Sequence, residues 1–264
     1  MIYDALKGYN VTILAYGQTS SGKTHTISGT DEFPGLIVLT AKSLFKSLNY
    51  LVTPEGITTM PAPHNPEVNF TDRRFQVTIS FLEIYNESVN DLLNCAKRNL
   101  EVRENRNGDV IVDGLTNKVV TCEEEFLTCL REGDAIKISA ETRANIHSSR
   151  SHTVFRIQVE IVDINTETGR RSIRTSQINL VDLAGSEGAS KTQSEGLRLR
   201  EGGNINKSLL ALSNVIHKLS LRQQISTRNN YFINFRDSKL TRILQNALSG
   251  QSQISIICCI NQLT

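Results

Sequence analysis

The sequence predicts an α/β protein of three layers, with helices on both faces of a central mixed, mostly parallel β-sheet. Strand-like and helix-like segments alternate along its 264 residues. Hairpin signals interrupt that alternation, which argues against a strictly parallel sheet. Most telling, the apolar run Val11–Tyr16 leads directly into Gly17-Gln18-Thr19-Ser20-Ser21-Gly22-Lys23-Thr24 and then into a helical pattern. This strand–loop–helix order is that of the phosphate loop G-x-x-x-x-G-K-[ST].

The residue types in that loop explain what it can bind. Gly17 and Gly22 allow backbone conformations closed to other residues, so that successive N–H groups can point into one concavity. The following helix adds unpaired N–H donors and the positive end of its dipole. Lys23 can reach the β- and γ-phosphates of a nucleotide, and the Thr24 hydroxyl can bind Mg²⁺.

The remaining elements follow in order. Met1–Tyr9 reads as a short amphipathic helix end stopped at Gly8. Leu36, Leu39, Leu44, Phe45 and Leu48 give Leu36–Leu48 a helical face. Asn49–Arg74 holds four of the five prolines and reads as a long surface insertion. Phe75–Tyr85 alternates as a strand. Leu100–Val120 contains short apolar runs around Asn107-Gly108, a hairpin signal. Glu123–Ile138 is a predicted helix with acids in its first turn. Strands follow at His152–Ile164 and Arg174–Leu183, joined by a turn ending in Gly169. Helices at Asn204–Leu221 and Ser238–Leu248 and a last strand at Ile254–Ile260 complete the chain.

Hydrophobic residues at 39% and charged residues at 21% are ordinary for a soluble globular protein. No apolar run approaches the roughly 18 residues that cross a bilayer, and residues 1–25 lack a signal-peptide plan. A net charge of +2 is too small to imply nucleic acid by itself. The five cysteines include no C-x-x-C pair. They read as reduced structural thiols, with Cys258 and Cys259 in an apolar strand where thiols are commonly buried.

Two further stretches bear on what is done with a nucleotide. Asn179–Gly185 is an apolar strand ending in Asp182 and then Gly185. An acid at such a strand end can hold Mg²⁺, often through water, and a glycine just beyond it can offer its N–H to a γ-phosphate. Asn145-Ile146-His147-Ser148-Ser149-Arg150-Ser151-His152 crowds hydroxyls, an arginine and an amide before a strand. Hydroxyls can ligate Mg²⁺ or orient water, and an arginine can pair with a carboxylate or with phosphate.

Gly17–Thr24 with His25-Thr26, Asn145–His152 and Asp182-Leu183-Ala184-Gly185-Ser186-Glu187 resemble the phosphate loop, switch I and switch II of kinesin motor domains. So do Tyr85-Asn86-Glu87 with Asp91-Leu92-Leu93, Asn204–Leu209 and Phe235–Arg242. The resemblance covers nearly the whole chain, residues 1–264, in the family's order. Glu141-Thr142, Thr153–Arg156 and Arg242–Asn246 are most similar to the centromere-associated kinesin-7 type.

The resemblance implies an ATP-dependent, microtubule-stimulated motor. Thr24 and Ser149 would bind Mg²⁺, with Asp182 holding it through water. Ser148 would help place the attacking water, the Gly185 N–H would sense the γ-phosphate, and His25 would lie against the adenine. Arg150 and Glu187 would form a closing salt bridge, with Glu187 polarising the water. The helix Asn204–Leu221 would relay switch movement to a microtubule-binding region at 188–248. Lys218–Arg242 holds Lys218, Arg222, Arg228, Arg236, Lys239 and Arg242 against the single acid Asp237. Such a cluster suits an acidic polymer. With no nucleic-acid fold signature beside it, Lys218, Arg236, Lys239 and Arg242, together with Lys191, are assigned by resemblance to tubulin. A cytoplasmic, cytoskeletal location is implied, at the spindle or kinetochore for a kinesin-7 type, with dimerisation through a coiled coil outside this stretch.

Some features depart from the family. Gly188 stands where a basic residue usually follows Glu187, and the Asn49–Arg74 insertion is long. Kinesin motors also carry strands before the Gly8 helix and a final helix with a neck beyond Ile260. The chain therefore reads as a motor domain incomplete at both ends, with an open sheet edge at Ile254–Ile260. The alternative function is a microtubule-binding module with weak or no ATPase activity. A GTP switch lacks its Asn-Lys-x-Asp motif.

Overall fold

The computed structural model describes residues 1–52, 72–106, 108–144, 150–165, 168–187, 197–224 and 233–261. Its frame is a seven-stranded sheet. Strand β1 (Asn10–Tyr16) enters the phosphate loop. The long strands are β2 (Asp72–Tyr85), β7 (Ser151–Ile164) and β8 (Arg171–Asp182). With β3 (Ser88–Asp91) and β9 (Ser252–Cys258) the order is β3-β2-β7-β8-β1-β9, and β6 (Lys118–Val120) also pairs with β2. The short strands β4 (Val102–Glu104) and β5 (Val110–Val112) form a separate hairpin around Gly108.

The α/β class and the mixed sheet are as expected, but the sheet is not mostly parallel. Strand β1 runs parallel to β8 and β9, whereas β2–β3, β2–β6, β2–β7 and β7–β8 are all antiparallel. The reason lies in the connections. The turn at Asn165–Arg170 is too short for a crossover, so β7 and β8 must be antiparallel neighbours.

Six α-helices are described: α1 (Ile2–Leu6), α2 (Lys23–Ile27), α3 (Leu36–Leu51), α4 (Glu123–Ala144), α5 (Leu197–Gln224) and α6 (Lys239–Ile243). Successive strand residues point to opposite faces, so Ile13 and Leu14 enter different cores. On one face, Ile13, Phe155 and Leu180 pack with Leu6 of α1, Leu44 and Leu48 of α3 and Phe126 of α4. The rings of Phe126 and Phe155 lie 5.3 Å apart between centroids. On the other, Leu14, Val154 and Val181 pack with Leu212 and Val215 of α5 and with Leu240 and Leu244 at α6. Each such fully buried side chain contributes about 1.5–3 kcal/mol. These two cores make the three layers.

Several boundaries move. Helix α3 continues to Leu51 and β2 begins at Asp72, so the ends of the expected insertion at 49–74 are regular structure, and 53–71 lie outside the described residues. Arg73, read as loop, is buried. Its guanidinium pairs with Asp163, which also accepts a 2.6 Å bond from Arg174 Nη2. Arg174 in turn donates to the Leu6 carbonyl at 3.3 Å, tying α1 to the sheet.

Strand β9 is an edge among the described residues, and Ile254 and Ile256 are exposed. Cys258 is exposed and Cys259 half-buried, contrary to the expectation of two buried thiols, because no described layer covers this edge. Among the described residues no helix is long and apolar enough to cross a membrane.

Candidate nucleotide site

The phosphate loop bridges the C-terminal end of β1 and the start of α2. Gly22 has φ +96°, a left-handed conformation that a side chain would strain. Lys23 is buried, and its Nζ donates to the Gln18 carbonyl at 2.8 Å, so the ammonium curls back into the loop. Burial pushes its pKa down, while the negative charges of Asp182 and Glu187 oppose the shift.

The Asp182–Glu187 segment closes over this loop. Thr24 Oγ1 donates to Asp182 Oδ2 at 2.6 Å, and Ser186 N–H donates to the Gly17 carbonyl at 3.1 Å. Thr19 N–H donates to Glu187 Oε2 at 2.8 Å, and the Thr19 hydroxyl bonds the other carboxylate oxygen. Gly185 lies so close that a Cβ there would overlap the Glu187 carboxylate and Thr19 Oγ1. Burial pushes the Glu187 carboxyl up, but the two Thr19 bonds and Lys23 outweigh it and hold its pKa below the usual value. For Asp182 burial wins, and its pKa is raised despite the Thr24 bond, Lys137 and Lys23.

The donor set fits a hard divalent cation. Asp182 Oδ1 is buried with no hydrogen-bond partner among the described residues, beside the Thr24 hydroxyl. Oxygen ligands of this kind suit Mg²⁺. No cluster of three His, Cys, Asp or Glu residues with metal-site geometry occurs among the described residues. A polar cleft of about 530 Å³ lies over the α5–α6 face of the sheet, lined by Arg156, Gln158, Gln177 and Asn179. It contains no phosphate-loop residue and is separate from this site.

Of the sequence-assigned residues, the structure brings Gly17–Thr24, Asp182, Gly185 and Glu187 together. Ser20 adopts φ 62°, and Ser21 Oγ is buried without a partner in the loop. His25 is exposed on α2, with its ring 6.4 Å from that of Phe33. Arg150 is half-buried at the entry to β7. Ser148, Ser149 and Lys191 lie outside the described residues.

The basic cluster is less uniform than its sequence. Glu104, brought in from β4, bonds Arg242 and lies 3.6 Å from Arg236. Arg242 also donates to Gln245 at 2.6 Å, and its side chain is only 12% exposed. Arg242, assigned by resemblance to the track face, is thus largely covered and shares its charge with Glu104, whose side chain is 41% exposed. Arg236, with a side chain 72% exposed, and the half-buried Lys239 and Lys218 remain available. Glu87 approaches the same helix and accepts the Lys239 backbone N–H at 2.8 Å.

Sequence reasoning also passed over His152 as a functional residue. It is buried at the start of β7, its Nδ1 accepts from Ala184 N–H at 2.9 Å, and its Nε2 lies 2.7 Å from Ser208 Oγ. Burial, followed by the charge of Lys23, pushes its pKa from 6.5 to about 4. The unfolded chain therefore takes up a proton that the folded one refuses as pH falls from 6.5 to about 4. Stability from this residue is complete above that window and falls by about 3 kcal/mol across it. Urea midpoints at pH 7 and pH 4.5 should show a smaller acid loss in His152→Gln than in the parent; an equal loss would refute this assignment.

Fold and site together define an α/β protein with a phosphate loop built to hold a nucleotide. The kinesin motor-domain family profile matches residues 1–264, and the chain belongs to that family. It is 42% identical to the kinesin-like protein KIN-7I of rice over 98% of this chain and 20% of the relative. It is 41% identical to human centromere-associated protein E over 100% of this chain and 9% of that protein. These relatives agree with the kinesin-7 likeness of the motifs. Among solved structures, a fast kinesin superposes with a TM-score of 0.80 at 36% identity, covering 98% of this chain and 66% of that one. A KIF14 dimer bound to AMP-PNP and a microtubule gives a TM-score of 0.81 at 35% identity, covering 98% and 68%. The chain thus spans about a fifth of the length of KIN-7I.

Proposed function

We propose that this chain is an ATP-dependent microtubule motor domain that binds Mg-ATP and hydrolyses it faster on microtubules. The observation carrying this reading is the shared cleft: phosphate loop and Asp182–Glu187 segment meet through Thr24–Asp182 and Thr19–Glu187. Lys23 and the loop N–H groups would hold the β- and γ-phosphates. Thr24 and Asp182, with Ser149, would hold Mg²⁺, which when bound neutralises phosphate charge. Gly185 N–H would meet the γ-phosphate, Ser148 would place water, and His25 would border the base. Arg150 would pair with Glu187 once the carboxylate leaves Thr19. Departure of the γ-phosphate after hydrolysis would release the two segments it had ordered, and α5 would carry the change to the track face.

The fast kinesin's published description concerns ATPase mechanism and interactions with microtubules, and the KIF14 dimer was solved on one. Both support the reading and a cytoskeletal location. Spindle or kinetochore service is suggested by the likeness to centromere-associated protein E, and dimerisation through a coiled coil outside this stretch is part of the same proposal. Steady-state ATPase with and without microtubules tests it. Stimulated turnover is expected; track binding without turnover would favour the binding-module alternative, and absence of both would refute the reading.

Track contact is expected from Arg236, Lys239 and Lys218. Arg236→Ala with Lys239→Ala should weaken co-sedimentation with microtubules several-fold at low salt, and the deficit should shrink as salt screens the parent too. An unchanged binding curve would remove these residues from the contact face.

A further inference from the structure

His152 stands between three parts that a nucleotide-driven machine has to move together. It begins β7, two residues after Arg150. One ring nitrogen holds Ala184, which lies between Asp182 and Gly185 of the nucleotide cleft, and the other meets Ser208 on α5. Both bonds are short, and His152 and Ser208 are each only 2% exposed. Because Nδ1 accepts the Ala184 N–H, it carries no proton. The neutral ring must then bear its hydrogen on Nε2 and donate it to Ser208 Oγ. The tautomer is therefore set by the backbone of the cleft and read by the helix.

A buried histidine that merely satisfied its own hydrogen bonds could do so within one layer. This ring instead spans the gap between the cleft and the opposite helical layer, where α5 packs through Leu212 and Val215 before reaching Lys218. Any shift of Gly185 toward a phosphate displaces the adjoining Ala184 N–H, and a rigid imidazole passes that displacement to Ser208.

We propose that His152 is a positioning residue that couples the Ala184–Gly185 backbone to α5 through Ser208, so that nucleotide state is communicated to the track face. This inference rests on the motor reading above. It assigns no contact with substrate to His152.

Ser208→Ala cuts the helix side of the link and leaves the Ala184 side intact; Ser208→Thr keeps the hydroxyl. Melting temperatures establish that each variant is folded, and a fluorescent ADP titration reports the nucleotide site. Amide hydrogen exchange is then followed with and without AMP-PNP. In the parent, AMP-PNP should change protection both at 180–187 and at 209–219 of α5. In Ser208→Ala the first response should persist and the second should be lost. Microtubule-stimulated turnover should fall about tenfold, with basal turnover and ADP binding within about twofold of the parent, and Ser208→Thr should restore stimulation. A full α5 response and full stimulation in Ser208→Ala would overturn the coupling, as would a parent that binds AMP-PNP with no response in α5. A parent that binds no nucleotide would instead refute the motor reading, and this inference with it.

Discussion

Lys23→Ala should lose nucleotide affinity by on the order of a hundredfold or more, with turnover falling below detection. The ammonium is a point charge already stripped of much of its water, so little desolvation remains to be met when phosphate arrives. In the folded chain it rests on the Gln18 carbonyl, a neutral acceptor that a polyphosphate displaces easily. Alanine removes that charge and leaves the raised Asp182 and the lowered Glu187 without their shared cation. The loop would then present negative charge to an anionic ligand. A fluorescent ATP-analogue titration decides the matter, and affinity within a few-fold of the parent would reject Lys23 as the phosphate anchor.

Glu187→Ala should separate binding from chemistry. The Glu187 carboxylate occupies the Thr19 N–H and hydroxyl, donors that face the same loop a phosphate would use. Its removal frees those donors, so ADP and ATP-analogue affinity should be kept or improved. Turnover should fall about a hundredfold to a thousandfold, because nothing then polarises the attacking water. Single-turnover hydrolysis beside an equilibrium titration measures both. Normal hydrolysis by the variant would defeat the assigned role. A large loss of binding would show instead that the carboxylate props the loop open for nucleotide.

What could be read from the chain alone was whatever chemistry sits in consecutive residues. The phosphate loop and the Asp182–Glu187 segment each carry their spacing with them, so their meeting across 158 positions at Thr24–Asp182 was foreseeable. Alternating Phe75, Val77, Ile79 and Phe81 similarly announced β2. The direction of β2 against β7 was not legible, because the stretch between them holds a hairpin and a helix and does not state its sense. The short turn between β7 and β8, by contrast, did imply an antiparallel pair. Arg73 was hidden by the proline-rich stretch before it, and its partner Asp163 lies 90 positions away. Likewise, no local pattern says that Glu104 will reach Arg242 or that His152 will find Ser208. Those pairings depend on how far a side chain extends once layers have stacked, which only the assembled fold decides.

The Arg73–Asp163–Arg174 group has a practical consequence for anyone redesigning this chain. Slipping β7 by one residue would turn Asp163 to the opposite side of the sheet and strand two guanidinium groups in the interior. The alignment of three long strands is thus locked at the end remote from the nucleotide. Shortening or swapping the proline-rich segment should be tolerated up to Thr71, whereas a cut that takes Arg73 should unfasten the sheet itself.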